Sequence, residues 1–299
     1  MDNPPLVSVR LVTYNHEHYI AQCLEGVLMQ RTDFPFEVII GEDCSKDRTR
    51  AILVAYAEKF PGKFHLLLHE HNLGAAGNNQ SVIQACRGKY HAMLEGDDYW
   101  IDPLKLQKQV DFLEAHPDYS LCFHNAFILS PEKAAARLYF EKTIQSGLEF
   151  DEVCDLHTPT ASVMARSEIL ATLPEWRTQV WCSDVVMRLW CAHHGKLGYL
   201  SDIMAVYRVH RGGMIAANRT RLAKSLAEEK FLYRELDKDT NYQHTAVLQA
   251  KVRQVEERYR RSMGGKWFYL THPGQISRRL REYVRALKRG AALKDFGMS

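Results

Sequence analysis

Leu6-Val7-Ser8-Val9-Arg10-Leu11-Val12 is an apolar run of strand length that closes on Thr13-Tyr14-Asn15, and residues 19–30 follow with apolar side chains at Ile20, Leu24, Val27 and Leu28. The first run suits a buried strand and the second carries helical spacing. The pair then recurs. Phe36-Glu37-Val38-Ile39-Ile40 reads as a strand and 50–60 as a helix; 64–68 reads as a strand, 78–87 as a helix and 89–94 as another strand. Strands alternating with helices predict βαβ units, hence a mostly parallel sheet flanked by helices. In such sheets a ligand lies beyond the carboxyl ends of the strands.

Those ends are polar in a consistent way. The second strand runs into Gly41-Glu42-Asp43-Cys44-Ser45-Lys46-Asp47 and the fourth into Glu95-Gly96-Asp97-Asp98-Tyr99-Trp100. A single Asp there would cap the next helix. Adjacent carboxylates repel, and a divalent cation is the natural compensation; such an ion also neutralises a diphosphate leaving group.

Further along, helix signals appear at 104–116 and 184–194 and strand-like runs at 120–129 and 197–208, and beyond 219 the pattern turns long, helical and basic. The 299 residues are 46% hydrophobic and 25% charged, which excludes disordered and low-complexity classes. No apolar run reaches the ~18 residues of a membrane span. The N-terminal Met-Asp-Asn-Pro-Pro has no signal-peptide pattern. Seven scattered cysteines without CxxC spacing argue for a reducing compartment, so the expected location is cytoplasmic. Residues 251–290 hold twelve Lys or Arg against three Glu, which leaves the rest of a chain of net charge +3 acidic.

The segments 7–15, 42–49, Asn72-Leu73-Gly74 and 95–100 resemble, in order and spacing, the motifs of family 2 glycosyltransferases. The resemblance covers residues 6–215. It implies a GT-A fold, a Rossmann-like α/β arrangement, and inverting transfer of one sugar from a nucleotide-diphosphate donor, a UDP-sugar above all, to a saccharide or lipid-linked acceptor. By that resemblance Thr13, Tyr14 and Asn15 line the nucleotide pocket, Asp43 bonds the base, Asp97 faces ribose and metal, and Asp98 is the main ligand of Mn²⁺ or Mg²⁺. His210 matches a position that coordinates the metal or contacts the diphosphate in some members. Asp184, opening an apolar helical stretch, resembles the general base of an inverting enzyme; a plain N-cap is the other reading. Two departures stand out: Cys44 where the family commonly has Gly, and Gly77 where many members have an Arg before Asn78.

Arg208 and Arg211 are candidate phosphate partners, Trp100 and Trp181 candidate stacking faces for the acceptor, and Gly212-Gly213 a candidate lid hinge. The expected division is a catalytic domain over 1–215, with a nucleotide half at 1–100 and an acceptor half at 101–215, and a basic helical extension over 216–299. In that extension Leu280, Tyr283, Val284 and Leu287 form one helical face ringed by Arg. That suits either an anionic membrane surface at the inner face of the cell membrane or packing on the domain or on a second copy. Nucleic acid is disfavoured by the acidic remainder and the lack of a reader motif. The alternatives for the whole chain are a sugar-1-phosphate nucleotidyltransferase, which would want a glycine-rich basic loop after the first strand, and a non-catalytic nucleotide- or carbohydrate-binding scaffold.

Overall fold

The computed structural model describes residues 4–130, 135–210 and 222–262. It forms two compact units, Met1–Val252 and Arg253–Ser299. Arg211, Gly212-Gly213 and the basic segment beyond 262 lie outside the described residues.

In the first unit β1 (Val7–Thr13) is central. It pairs in parallel with β2 (Phe36–Glu42) on one side and β4 (Tyr90–Glu95) on the other, and β3 (His65–Leu68) extends the parallel set beyond β2. Val7, Val9 and Leu11 are buried, and so are Ser8 and Arg10 on the opposite face. A strand covered on both faces reads as a continuous apolar run rather than an alternating one. The covering helices are α1 (Ile20–Leu28), α2 (Thr49–Lys59) and α3 (Gly74–Ala85). Ile20, Cys23, Leu24 and Val27 of α1 are buried. Each such aliphatic side chain contributes about 1.5–3 kcal/mol on leaving water.

Beyond β4 the sheet becomes mixed. The chain turns through Asp97-Asp98 into the two-residue β5 (Tyr99–Trp100), then α4 (Lys105–Ala115) and the long β6 (Tyr119–Ser130). The short strands β7 (Ala135–Leu138) and β8 (Met164–Arg166) follow, the latter flanked by the helical turns α5 (Phe150–Val153) and α6 (Ser167–Leu170). Then come α7 (Ser183–His194) and β9 (Lys196–Arg208). The order across the sheet is β3-β2-β1-β4-β8-β6-β9-β5, with β7 on β6. β8 runs antiparallel to β4 and to β6, while β9 runs parallel to β6. The parallel order expected from the sequence therefore covers the first half, and the second half adds antiparallel strands too short to show a period.

β5 pairs with β9, Tyr99 opposite Val206 and Trp100 opposite Ala205. The chain segment that leaves the acidic turn is thus hydrogen-bonded to a strand about a hundred residues later. This carries Arg208, two residues past Val206, against Asp97 and Asp98. The described C-terminal part consists of the helices Leu222–Asp239 and Thr245–Ser262. Among the described residues no helix is long and apolar enough to cross a membrane.

Candidate active site

The strand ends meet as expected at one rim, and backbone-to-side-chain bonds stitch the first two together. Asn15, held at φ 55°, accepts from the Lys46 N–H at 2.8 Å and donates its own N–H to Ser45 Oγ at 3.0 Å. The Glu17 N–H reaches Asp47 Oδ2 at 3.0 Å, and the His16 N–H reaches Thr49 Oγ1 at 2.8 Å. Asp43 is buried; its Oδ1 accepts the Leu73 N–H at 2.7 Å, and its carbonyl accepts from Asn72 Nδ2 at 2.9 Å. Thr13 is buried below, while the Tyr14 ring is exposed beside this wall. Cys44 sits at φ 59°, the left-handed region that glycine adopts freely. The turn therefore keeps the conformation that Gly would give, at a steric cost of roughly 1–2 kcal/mol.

At the end of β4, Glu95, Asp97 and Asp98 offer three carboxylate oxygens, all within 4.8 Å of one another. At an effective dielectric of about 20, ionised neighbours at that range repel by on the order of 3 kcal/mol per pair. The three are held differently. Asp98 is fully buried; Oδ1 accepts the Arg208 backbone N–H at 2.8 Å, and Oδ2 has no protein partner. Burial, with Asp97 and Glu95 alongside, pushes the Asp98 carboxyl well above the ordinary range. Burial, then Asp97 and Asp184, push Glu95 up to about 8. Desolvation opposes charge on Asp97 too, but the His210 hydrogen bond and the field of His16 outweigh it and hold its carboxyl below the usual value. His210 Nε2 lies 3.0 Å and His16 Nε2 3.8 Å from Asp97 Oδ2.

A divalent cation fits this donor set. A buried carboxylate oxygen without a hydrogen bond, flanked by two further carboxylates, is a costly arrangement for a protein alone and an ordinary one for a hard cation.

Gly96 allows the acidic turn to lie against β1. A Cβ there would stand 2.4 Å from Thr13 Oγ1, 2.7 Å from Thr13 Cβ and 2.9 Å from His16 Nδ1. Arg208 braces the turn from the other side. Its guanidinium donates to the Asp97 carbonyl and to Gln22 Oε1 and lies 5.1 Å from the centre of the Tyr19 ring and 4.3 Å from that of Tyr99. Buried and engaged in this way, Arg208 is a brace for the acids, which corrects the expectation of a phosphate partner. Trp100 is also corrected. It is 1% exposed, bonds the Ala161 carbonyl through Nε1 at 2.8 Å and carries Lys105 Nζ over its ring at 3.9 Å, so it is core and offers no face to an acceptor.

Asp184 lies in the first turn of α7, exposed, and the field of its carboxylate reaches Glu95 and Tyr139. Trp181, just before it, is partly exposed, with its indole N–H on the Ser225 carbonyl at 3.3 Å. The sequence reading did not single out Glu95, His16, Gln22 or Tyr19 for a site role. Glu95 opens the segment Glu95-Gly96-Asp97-Asp98, and its place at the strand end was the available signal. His16, Gln22 and Tyr19 meet the acids only through the sheet crossover, which no local pattern reveals.

The model of glycosyl transferase family 2 matches residues 8–167. Uncharacterized protein Rv1520 of Mycobacterium tuberculosis (strain ATCC 25618 / H37Rv) is 36% identical over 217 residues, which cover 70% of this chain and 60% of the relative's length. TuaG of Bacillus subtilis (strain 168), named for teichuronic acid biosynthesis, is 30% identical over 246 residues, covering 78% of this chain and 89% of TuaG. Among solved structures, S. aureus TarS 1–349 superposes with a TM-score of 0.65 at 18% identity, covering 87% of this chain and 74% of that one, and TarS has also been solved with UDP-GlcNAc. The mannosyltransferase PcManGT of Pyrobaculum calidifontis, solved with GDP-Man and Mn²⁺, gives 0.59 at 16% identity over 99% of this chain and 82% of that one. These two share the GT-A fold with this chain.

Proposed function

For a chain that belongs to glycosyl transferase family 2, we propose inverting transfer of one sugar from a nucleotide-diphosphate sugar to a hydroxyl of a saccharide or lipid-linked saccharide. The observation that carries this reading is the trio Glu95, Asp97 and Asp98 with the orphaned Asp98 Oδ2, set at the same rim as the Asp43 wall and within the field of Asp184.

In this reading the base of the donor, a uracil by the family resemblance, lies between the exposed Tyr14 ring and the Asp43–Leu73 wall. Asp98 and Asp97, with Glu95 beside them, hold Mn²⁺ or Mg²⁺, and His210 orients Asp97 through Oδ2. The ion, when bound, supplies charge that neutralises the departing diphosphate. Asp184 accepts the proton of the acceptor hydroxyl as its oxygen bonds the anomeric carbon, while the C1–O bond electrons leave with the nucleoside diphosphate. No covalent enzyme intermediate forms, and the anomeric configuration inverts. The catalytic region is residues 1–215 and the basic extension 216–299, whose sequence pattern of cations around Leu280, Tyr283, Val284 and Leu287 suits the anionic membrane where a lipid-linked acceptor resides; a second copy of the chain is the other partner that pattern suits.

Support comes from the relatives. TarS and PcManGT were solved with UDP-GlcNAc and with GDP-Man plus Mn²⁺, respectively, and a UDP-Glc-dependent glucosyltransferase of Escherichia coli matches over 108 residues. Isothermal titration of the full chain with UDP, GDP and dTDP, each with Mn²⁺ and with EDTA, tests the proposal. Metal-dependent binding of one nucleotide is the expected result. A folded protein that binds none of the three refutes it.

A further inference from the structure

The helix that carries Asp184 starts without a cap of its own. Among the described residues Cys182, at the N-cap of α7, makes no side-chain cap bond, and the segment before it has only the helical turn Glu175–Gln179 for regular structure. A helix start whose first N–H groups lack such a partner is loosely fixed by its own sequence. A general base needs more than that, because a misplacement of about 1 Å costs on the order of 10²-fold in rate.

The segment is tied down by other elements on two sides. On one side Arg177, 8% exposed, donates to the amide oxygen of Gln80 on α3. On the other stands α8 (Leu222–Asp239), which lies beyond residue 167, where the family match ends. Glu228 Oε2 accepts the Trp181 backbone N–H at 2.9 Å, and the Ser225 carbonyl accepts the indole N–H of the same residue at 3.3 Å. Asp239 Oδ2 accepts the Trp176 indole N–H at 2.6 Å, and the Trp176 ring meets Phe231 edge-on with centroids 5.8 Å apart. Ser225 and Asp239 are separated by about 20 Å of helix, so the ties run along most of α8.

Glu228 is itself held. Its Oε1 lies 3.6 Å from Lys224 Nζ one turn back, and α8 is seated by the buried Leu226, Tyr233 and Leu236. The Cys182 thiol is pushed up by burial and then by Asp184, Glu229 and Glu228, so the acids of α8 and Asp184 converge on the same N-cap. The far end of α7 is tied as well. His193 Nδ1 lies 3.1 Å from His244 Nε2, whose ring stacks on Phe150 with centroids 3.6 Å apart.

We propose that α8 is part of the catalytic apparatus and that Glu228 is the positioning residue for Asp184, fixing the chain three residues before it through the Trp181 N–H. Glu228 acts through the backbone and not on substrate, while Ser225 and Asp239 steady the same segment through the two indoles. The inference rests on the glycosyl-transfer reading with Asp184 as base, and adds to it the residues that set that base. The extension past residue 215 therefore contributes to the reaction, although the nucleotide and metal groups lie before it.

The experiment compares the full chain with Glu228→Ala, Glu228→Gln, Asp239→Ala and Lys238→Ala. Each is titrated with UDP, GDP and dTDP in Mn²⁺, melted, and followed by amide hydrogen exchange over residues 176–186. Turnover is read as nucleotide release from the glucose, galactose, N-acetylglucosamine and mannose derivatives of the nucleotide that binds, with water as acceptor. Alanine is a good helix former and Glu228 is partly exposed, so the fold should survive. Glu228→Ala should lose the protection of the Trp181 amide and about tenfold or more of kcat, with nucleotide affinity unchanged. Glu228→Gln keeps an oxygen for that N–H and should recover most of the rate. Asp239→Ala, which frees Trp176, should repeat the effect more weakly, and Lys238→Ala, on the exposed Lys238–Glu235 pair of the same helix, should change neither quantity. Native kcat in Glu228→Ala with the Trp181 amide unprotected overturns the inference and leaves glycosyl transfer standing. Glu228→Gln as slow as Glu228→Ala overturns it too, since charge and not held geometry would then matter. So does a parallel fall of kcat and nucleotide affinity, which would make α8 a support of the whole domain. A native chain that binds no nucleotide, or releases none, removes the glycosyl-transfer reading and the positioning role with it before any variant is compared.

Discussion

Substituting Gly96 by Ala tests whether the acidic turn is positioned by its contact with β1. The backbone at Gly96 is not in the left-handed region, so an alanine there has no conformational penalty, and the whole effect is steric. The added methyl would stand 2.4 Å from Thr13 Oγ1 and 2.7 Å from Thr13 Cβ, about 1 Å inside ordinary van der Waals contact. Thr13 is β-branched and 2% exposed, and its hydroxyl is tied to His16 Nδ1 at 3.1 Å, so it cannot swing aside. The turn has to move instead. Overpacking of this kind costs about 1–3 kcal/mol, a few degrees of melting temperature in a chain of this length. A displacement of about 1 Å at a reacting centre costs on the order of 10²-fold in rate. Calorimetry should show Mn²⁺-dependent nucleotide affinity falling with a modest drop in melting temperature. Gly62→Ala serves as the control: Gly62 has φ +75° with nothing within 4 Å of its Cβ, so alanine there should lower stability slightly and leave binding alone. Native affinity in Gly96→Ala, or equal losses in both variants, would refute the wedge argument.

Asp98→Asn keeps the acceptor for the Arg208 N–H and removes a buried charge; melting temperature should hold or rise while Mn²⁺-dependent turnover disappears, and near-normal turnover sinks the ligand role. Asp184→Asn should bind donor normally yet lose about 10²-fold or more of kcat in steady-state assays; collapsed donor affinity would make it a binding residue instead. Burial pushes His91 and His124 down to about 3, each with a ring nitrogen unpartnered. Both stay neutral in the fold and protonate at about 6.5 when unfolded, so stability is complete above about 6.5 and is lost toward 3 by about 1.4 kcal/mol per pH unit per histidine. Urea unfolding between pH 7 and 5 checks this, and His124→Leu should reduce the slope; a flat profile in the native chain contradicts it.

The parallel half of the sheet was legible because β1, β2 and β4 are largely buried and rich in apolar residues, Val38-Ile39-Ile40 being the clearest run, while β3 closes the edge with half-exposed residues. The mixed half was less so. β5 has two residues and β8 three, lengths at which no alternation can be counted, and both exist because β9 and β4 offer edges to bond. Trp100 illustrates the consequence. Its neighbours in sequence suggest a rim aromatic, but the pairing with β9 turns the indole inward onto Ala161 and Lys105.

The acids themselves were legible, since adjacent carboxylates at a strand end are improbable without a cation. What holds them was not. Asp97 is fixed by His210 and His16, and Asp98 by the backbone of Arg208, partners about eighty residues away in one case and more than a hundred in the other two. Arg208 shows why a local reading misassigns such groups: an arginine near a diphosphate site and an arginine bracing the acids of that site have the same residue type and the same neighbourhood. The distinguishing fact is whether the guanidinium is already satisfied. Arg208 is, by a carbonyl, an amide and two rings; Arg10, buried as deeply, is not. Burial without a partner does not by itself mark a ligand site, since His91 Nδ1 and His124 Nε2 share it inside the core; at Asp98 Oδ2 it does so because two further carboxylates offer oxygens within 4.8 Å, and Asp98→Asn should therefore hold or raise the melting temperature while abolishing the metal response.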